Sequence, residues 1–503
     1  MPASHRIATA LAALVLAWIL ANAALDRFLL AQGRLDLTRV ARGESRIGFE
    51  FDSARDLIGD RIEGAGRMLV ADGLLAAELP QGDANVRLNL RGLVLDARRL
   101  RALDLRLHVS APATLHLIFD APGELRQWQQ RLELLAGWNE LRMDLAAFTW
   151  SAHADAATAR WGGDAGRVGE FRLHLAGPAG LRVALDHLRF RERVHHREGD
   201  PTPTIEWLGI ERVRARLDAG LPLVESAHTR IGVRLPVWMD TPERLLTLRD
   251  HVRALDADAL FWPVMQALPD APGPAAAPTG WSPGWGGVVA YALLALWLRA
   301  RARPRRLHAL AELAIGHGPL LALSVGLGLS ELPTSDARTW LACALLFQLS
   351  GLRISGGDWP GAATAWRAVA RYSVPAAIML IAIGVLAGHW QPPGLQRALG
   401  YLPFVLLQQT LLLGFLWPRV HLLVGRRAIL ATAGLFALAH APNFALMLLS
   451  FVIAQAWLAS YRSTRAWLPI LTSHYALGML AVSLLPSEIL YSAETGLRYF
   501  QVR

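Results

Sequence analysis

Four polar side chains interrupt long apolar runs in the second half of the chain. Gln408 and Gln409 lie in the run 401–417, His440 in 428–441 and His474 in 467–485. A polar group inside a membrane span is costly, so by default it marks a functional site. Phe436 precedes His440 by one helical turn and Asn443 follows it by three residues, spacings that place all three on roughly one helix face. Two histidines and a carboxylate around a buried water make a hydrolytic site. The imidazoles hold a divalent metal such as zinc or polarise the scissile carbonyl, and the carboxylate takes the proton from water. The expectation is that three spans bring the two glutamines and the two histidines together near mid-membrane depth.

The elements that must position these groups follow from how charge is distributed. Of the 41 acidic residues in the 503-residue chain, only Glu312, Glu331, Asp336, Asp358, Glu488 and Glu494 fall in 281–503, so that half has a different solvent from the rest. A single cysteine, Cys343, excludes a disulfide-built scaffold. Crossing the hydrocarbon core takes about 20 apolar residues. Ile7–Leu25 is one such run, read as an uncleaved signal anchor or, because of Ala21-Asn22-Ala23, as a signal peptide. Further runs lie near 282–298, 308–330, 338–352, 373–390, 401–417, 428–441, 443–459 and 467–485. The five arginines of 299–306 mark an inside loop, as do Arg353, Arg367 and Arg371, then Arg426 and Arg427, then Arg462 and Arg465. Alternation from these loops puts residues 32–280 outside, in the periplasm or beyond it, on a bacterial inner membrane. The net charge of +10 therefore reports topology and excludes a nucleic-acid partner.

The outer half carries a different pattern. Leu103, Leu105, Leu107 and Val109 alternate with polar residues, as do Leu115, Leu117 and Phe119, then Leu141, Met143 and Leu145, then Phe171, Leu173 and Leu175, then Leu181, Val183 and Leu185. This period of two predicts half-buried strands of an antiparallel sandwich. Over about 45–195 the segments 137–145 and 185–190 loosely resemble jelly-roll, galactose-binding-like domains. Trp138, Trp150 and Trp161 form either an aromatic platform for a glycan or part of the sandwich core. His195-His196 has no second spaced pair and reads as an exposed loop. A strand at 230–235, a helix at 241–254 and a strand at 259–262 predict a small α/β appendage, and Pro269–Pro278 a stiff tether. The expected architecture is a multi-domain membrane protein. It has an anchor at 1–31, an exported jelly-roll-like β-sandwich at 32–199 and the α/β appendage at 200–267. A linker at 268–281 then leads to an all-α polytopic bundle at 282–503.

Within that bundle, Phe436-Ala437-Leu438-Ala439-His440-Ala441-Pro442-Asn443 resembles the second motif, Phe-x-x-x-His, of the CPBP intramembrane proteases, the family of type II CAAX prenyl proteases and bacteriocin-processing enzymes. Ala466-Trp467-Leu468-Pro469-Ile470 through His474 resembles the third motif region. The likeness covers about 395–490. It implies an intramembrane endopeptidase fold with His440 and His474 lining the site, Phe436, Asn443 and Gly478 beside the substrate, and a membrane-embedded polypeptide as partner. The first motif, Glu-Glu-x-x-x-Arg, is replaced by Gln408-Gln409-Thr410-Leu411-Leu412-Leu413, and Gly478 stands where the third motif carries asparagine.

Glutamine cannot act as a general base, and losing that function alone costs on the order of 10²–10⁴ in rate. Three readings follow. The chain is a working peptidase with its base elsewhere, Glu488 and Glu494 being the acids nearest His474. Alternatively it is a pseudoprotease that keeps the cavity to bind, or the polar residues only hold helices together. A reading of a different class makes the chain a glycan-binding anchor or an immunity-type membrane protein. His317, between Gly316 and Gly318, is read as bonding a neighbouring backbone, and Glu312 as interfacial.

Overall fold

The computed structural model describes residues 3–499 apart from short gaps and four longer ones, at 193–203, 269–283, 322–333 and 354–361. His195, His196, Glu494 and the Pro269–Pro278 tether lie outside the described residues. The chain divides into two compact units. One comprises 1–31, 237–247 and 277–502; the other comprises 32–236 and 248–276.

The second of these units is built on a β-sandwich. One sheet runs in the order Arg67–Ala71, Leu74–Leu79, Leu181–Arg191, Ala102–Val109, Gly137–Asp144, with Glu44–Phe49 also paired to Leu181–Arg191. The other runs Thr158–Arg160, Thr149–Ala152, Gln127–Leu134, Ala113–Asp120, Glu170–Ala176, Asp83–Arg87. Every pairing in both sheets is antiparallel. Because side chains alternate across a strand, Leu103, Leu105, Leu107 and Val109 point inward with Leu115, Leu117 and Phe119 and with Phe171, Leu173 and Leu175.

Trp150 and Trp161 belong to this core. They stand 5.6 Å apart, each packed on Phe119, at 4.9 and 5.3 Å between ring centroids. Each buried indole N–H is satisfied by a carbonyl, Trp150 by Leu145 and Trp161 by Leu100. A three-tryptophan platform therefore does not form; Trp138 alone is exposed.

The same unit holds a parallel three-stranded sheet of Thr204–Gly209, Thr229–Leu235 and Leu260–Pro263, with helix Ile210–Asp218 linking the first two. It is fixed to the sandwich by buried charges. The Arg230 guanidinium sits 2.9 Å from both Glu192 and Asp258, and Arg99 lies 2.9 Å from Asp256. Asp258 also accepts from the Arg46 amide at 2.6 Å and from Ser45 Oγ at 3.1 Å. These bonds and Arg230 hold its carboxyl below the usual range against the opposing effect of burial.

The other unit is helical. Among the described residues, four stretches are long and apolar enough to cross a membrane: Leu14–Ala41, Ala363–Leu386, Leu395–Leu438 and Phe444–Thr464. The first helix runs Ala3–Ala41, well past the apolar run that suggested it. Two expectations change. The run 428–441 is helical only over Ala428–Leu438, about 16 Å long at 1.5 Å per residue. The chain then turns, and Asn443 caps the next helix by accepting from Leu446 N at 3.1 Å. His440 and Asn443 thus sit in a connecting turn and share no helix face. Glu312, expected at the interface, is fully buried and 3.0 Å from Arg419, itself fully buried. Arg419 also donates to the Phe415 and Gly351 carbonyls, so every side of this charge is bonded.

Candidate functional site

Gln408 and Gln409 end helix Leu395–Thr410, just before a π-helical turn over Leu411–Leu416. His440 follows the short helix Ala428–Leu438, and His474 lies nearly two turns into helix Leu468–Leu484. These three elements bring the four side chains into contact. Gln409 Nε2 is 2.7 Å from His474 Nδ1, and Gln408 Nε2 is 3.5 Å from His440 Nε2.

The backbone settles one tautomer. His440 Nδ1 is 2.8 Å from the Phe436 carbonyl. A carbonyl can only accept, so Nδ1 carries the hydrogen and the Nε2 lone pair faces Gln408. Gln409 donates to His474 through its amide nitrogen, which leaves Gln409 Oε1 buried without a hydrogen-bond partner. Among the fully buried polar atoms of these four side chains, that acceptor alone lacks a partner.

Aromatic rings close the site. Phe436 stands edge-on to both imidazoles, at 4.9 Å from His440 and 6.3 Å from His474. Trp457 lies 4.6 Å from His474, its indole N–H fixed by Ser473 Oγ at 2.9 Å. Tyr401 covers a further edge of His474 at 6.3 Å. The sequence marks neither residue: Trp457 comes from helix Phe444–Thr464 and Tyr401 from the helix that also carries Gln408 and Gln409, and no spacing relates either to the histidines.

The remaining expected residues divide. Phe436 lines the site. Asn443 is occupied structurally, capping Leu446 and donating to the Leu490 carbonyl at 3.3 Å. Gly478 faces Tyr401: a Cβ there would collide with Tyr401 Oη and come within 2.8 Å of two ring carbons, so the glycine makes room for the tyrosine. His317 Nε2 lies 3.1 Å from the Leu435 carbonyl, a backbone tie one residue before Phe436. Glu488 sits in the short helix Ser487–Leu490.

A divalent metal does not fit this donor set. Zinc takes three or four nitrogen, sulfur or charged oxygen ligands, whereas two imidazoles here face two neutral amides. Among the described residues no three of His, Cys, Asp and Glu gather at one point.

One carboxylate that sequence did not single out belongs to the same unit. Glu243, in the 237–247 segment, is buried and accepts from Phe444 N at 2.7 Å and from the Tyr499 hydroxyl at 3.1 Å. It thus satisfies an amide at the N-terminus of helix Phe444–Thr464, beside Asn443. Burial pushes its carboxyl above the usual range, against those hydrogen bonds.

On the sandwich, Trp138 lies in the outward row of Gly137–Asp144. Arg106 stacks over its ring at 4.3 Å, and His108 meets it edge-on at 5.5 Å. One ring face is therefore already covered by a guanidinium.

No family model matches the chain, and no curated protein matches it. Among solved structures, it is similar to PfGH50B at 10% identity and TM-score 0.19, over 29% of this chain and 23% of that one, so it spans about a quarter of that protein's length. It is also similar to a family 11 carbohydrate-binding module from Clostridium thermocellum in complex with a mixed-linked tetrasaccharide, at 9% identity and TM-score 0.19, over 27% of this chain and 89% of the module. A third likeness is to TmCBM61 in complex with β-1,4-galactotriose, at 12% identity and TM-score 0.17, over 30% and 92%. TM-scores this low assign neither a fold nor a ligand to this chain.

Proposed function

We propose that the helical unit is a CPBP-like bundle that holds a membrane-embedded polypeptide without hydrolysing it. The observation that carries this reading is the pairing of both imidazoles with amides, one of which keeps its Oε1 buried and unpaired. A neutral amide cannot take a proton from water. It can accept a backbone N–H, and in lipid every such N–H needs an acceptor. An extended stretch of a bound chain presents that group; a fully hydrogen-bonded helix does not.

The outer location of residues 32–280 on a bacterial inner membrane belongs to the same proposal. Its supports are the arginine-rich loops and the place of Glu243 at the Phe444 end of a helix whose other end carries Arg462 and Arg465. The sandwich would then recruit an envelope component outside the bilayer. A second reading, recruitment of an uncharged glycan, is favoured by the half-exposed Trp138 beside Arg106 and His108.

The test uses purified full-length protein with a library of membrane-embedded peptides, comparing wild type, His440→Ala and Gln408→Glu. Photo-crosslinked peptide that remains intact with wild type is the expected result. Cleavage by wild type that disappears in His440→Ala would instead establish a peptidase and send the search for a base to Glu488.

A further inference from the structure

Residues 238–243 belong to the helical unit although they are far in sequence from its spans. Bonds at both ends fix where they lie. The Trp238 amide donates to Asn22 Oδ1 at 3.2 Å, and Asn22 Nδ2 donates to the Trp18 carbonyl at 3.0 Å. Asn22 stands just before Leu25, where the first apolar run gives way to Asp26 and Arg27. At the rise of an α-helix, that leaves about 4.5 Å to the end of the run. At the far end of the segment, Glu243 Oε1 accepts from the Phe444 amide at 2.7 Å. Phe444 opens a second helix long and apolar enough to cross a membrane. Trp18 packs on Phe444 at 5.4 Å between ring centroids, which sets the start of that helix beside the last two turns of the first run. The segment is thus stapled near the ends of both apolar runs.

The tip of the segment is apolar and open: Trp238 is 39% exposed and Met239 78%. On the first helix, Val15 and Ile19 lie seven and four residues apart from Asn22 and from each other in the spacing of one helix face. Both are exposed apolar side chains, the surface that a span presents to lipid. Asn22 is the next position on that face and is fully buried where Trp238 meets it. Trp238 and Met239 therefore extend the lipid-facing surface of the span. Trp238 also has φ +80°, a conformation that bulky residues rarely adopt and glycine takes freely. A glycine would relieve that strain, yet an indole stands there and is presented outward. Charge begins at the next residue, where Asp240 accepts from the Thr241 amide at 2.8 Å and from Arg244 Nη1 at 3.2 Å.

We propose that Trp238 and Met239 enter the interfacial layer of the bilayer, so that the chain touches the membrane again 216 positions after Asn22. Lipid is the occupant that fits. An indole is favoured at this depth because its ring meets acyl chains while its N–H meets headgroups and water. The Asp240–Arg244 pair then stays among the headgroups. This inference goes beyond what the bundle holds and rests only on the apolar helices being membrane spans.

The test uses the full chain with Cys343→Ser and Met239→Cys, carrying a polarity-sensitive fluorophore on the introduced thiol, in phosphatidylcholine vesicles. Its emission should be blue-shifted relative to the same label at Ser151→Cys, an exposed sandwich position. It should be quenched by phosphatidylcholine spin-labelled near the top of the acyl chain and hardly at all by aqueous iodide. Adding Trp238→Gly should restore iodide quenching without lowering the melting temperature in detergent. Iodide quenching as strong as at Ser151→Cys overturns the proposal. A label shielded from lipid and iodide alike also overturns it and assigns the tip to a second copy or another protein. If Met239→Cys does not fold, a photoreactive phosphatidylcholine decides with the unmodified protein. Adducts on the tryptic peptide 235–244 support insertion, and adducts confined to the spans overturn it.

Discussion

Gln409 Nε2 stands 2.7 Å from His474 Nδ1 in the interior of the helical unit, an amide closed on an imidazole where the resembling motif carries a carboxylate. Gln409→Leu should leave that ring nitrogen buried and unpaired and cost about 1–3 kcal/mol of stability. Gln409→Glu should cost more, about 3–5 kcal/mol, if its charge stays unpaired, because Leu413 offers no guanidinium. Urea unfolding in detergent measures both. A Gln409→Glu variant as stable as wild type would show that the cluster compensates a negative charge.

Gly478 and Tyr401 share one space. Gly478→Ala gains up to about 1 kcal/mol of helix propensity but collides with the tyrosine, and overpacking costs about 1–3 kcal/mol. The net effect should be destabilising. In a Tyr401→Val background the collision is relieved, and the same substitution should become neutral or favourable. A double-mutant cycle reads the coupling directly; additive effects would mean that the two sites do not touch.

Glu312 and Arg419 form a fully buried pair. Arg353 at 3.4 Å and His308 at 3.5 Å also face Glu312, so Arg419→Met should cost less than Glu312→Gln, which takes the carboxylate from the fully buried Arg419 and should cost about 3–5 kcal/mol. The double variant Glu312→Leu with Arg419→Met should recover much of that loss. If it is no better than either single variant, the remaining hydrogen bonds of Arg419 to Phe415 and Gly351 outweigh the pair.

The Asp258–Arg230 contact predicts an acid limb for the sandwich unit. Asp258 is held below its ordinary range in the folded protein. Its stabilising contribution is therefore present above the unfolded pKa and is lost as pH falls through the lower folded value. Glu192, raised chiefly by burial, acts in the opposite sense and loses its contribution as pH rises. Asp258→Asn should thus flatten the fall in melting temperature on acidification, and an unchanged profile would assign the acid limb to other carboxylates.

The sequence makes the sandwich legible because a half-buried strand repeats every two residues. The same parity separates the tryptophans: Trp138 is out of phase with inward-pointing Leu141 and Met143, so it must face outward. The meeting of Gln408, Gln409, His440 and His474 was also open to inference, since each is a polar interruption of an apolar run. What escaped is what depends on distant partners. Glu312 looks interfacial in sequence and becomes interior through partners such as Arg419, 107 positions away, and Arg353. Tyr401 and Trp457 resemble any aromatic residue of a membrane helix until folding sets them against His474. The apolar run places His440 within a span; the chain instead turns there, and Asn443 caps a new helix starting at Phe444.

The segment 237–247 groups with the helices although its flanks on both sides belong to the sandwich unit. The two units are therefore interleaved along the chain: helical, sandwich, helical, sandwich, helical. Cutting at the proline-rich tether separates neither unit cleanly. A fragment starting at 277 would lack Trp18, which packs on Phe444 at 5.4 Å, and Glu243, which meets the Phe444 amide. During synthesis the first helix must wait for more than 400 residues before Phe444 exists to receive it. The helical unit thus cannot complete its packing until its last stretch of chain, 277–502, has been made.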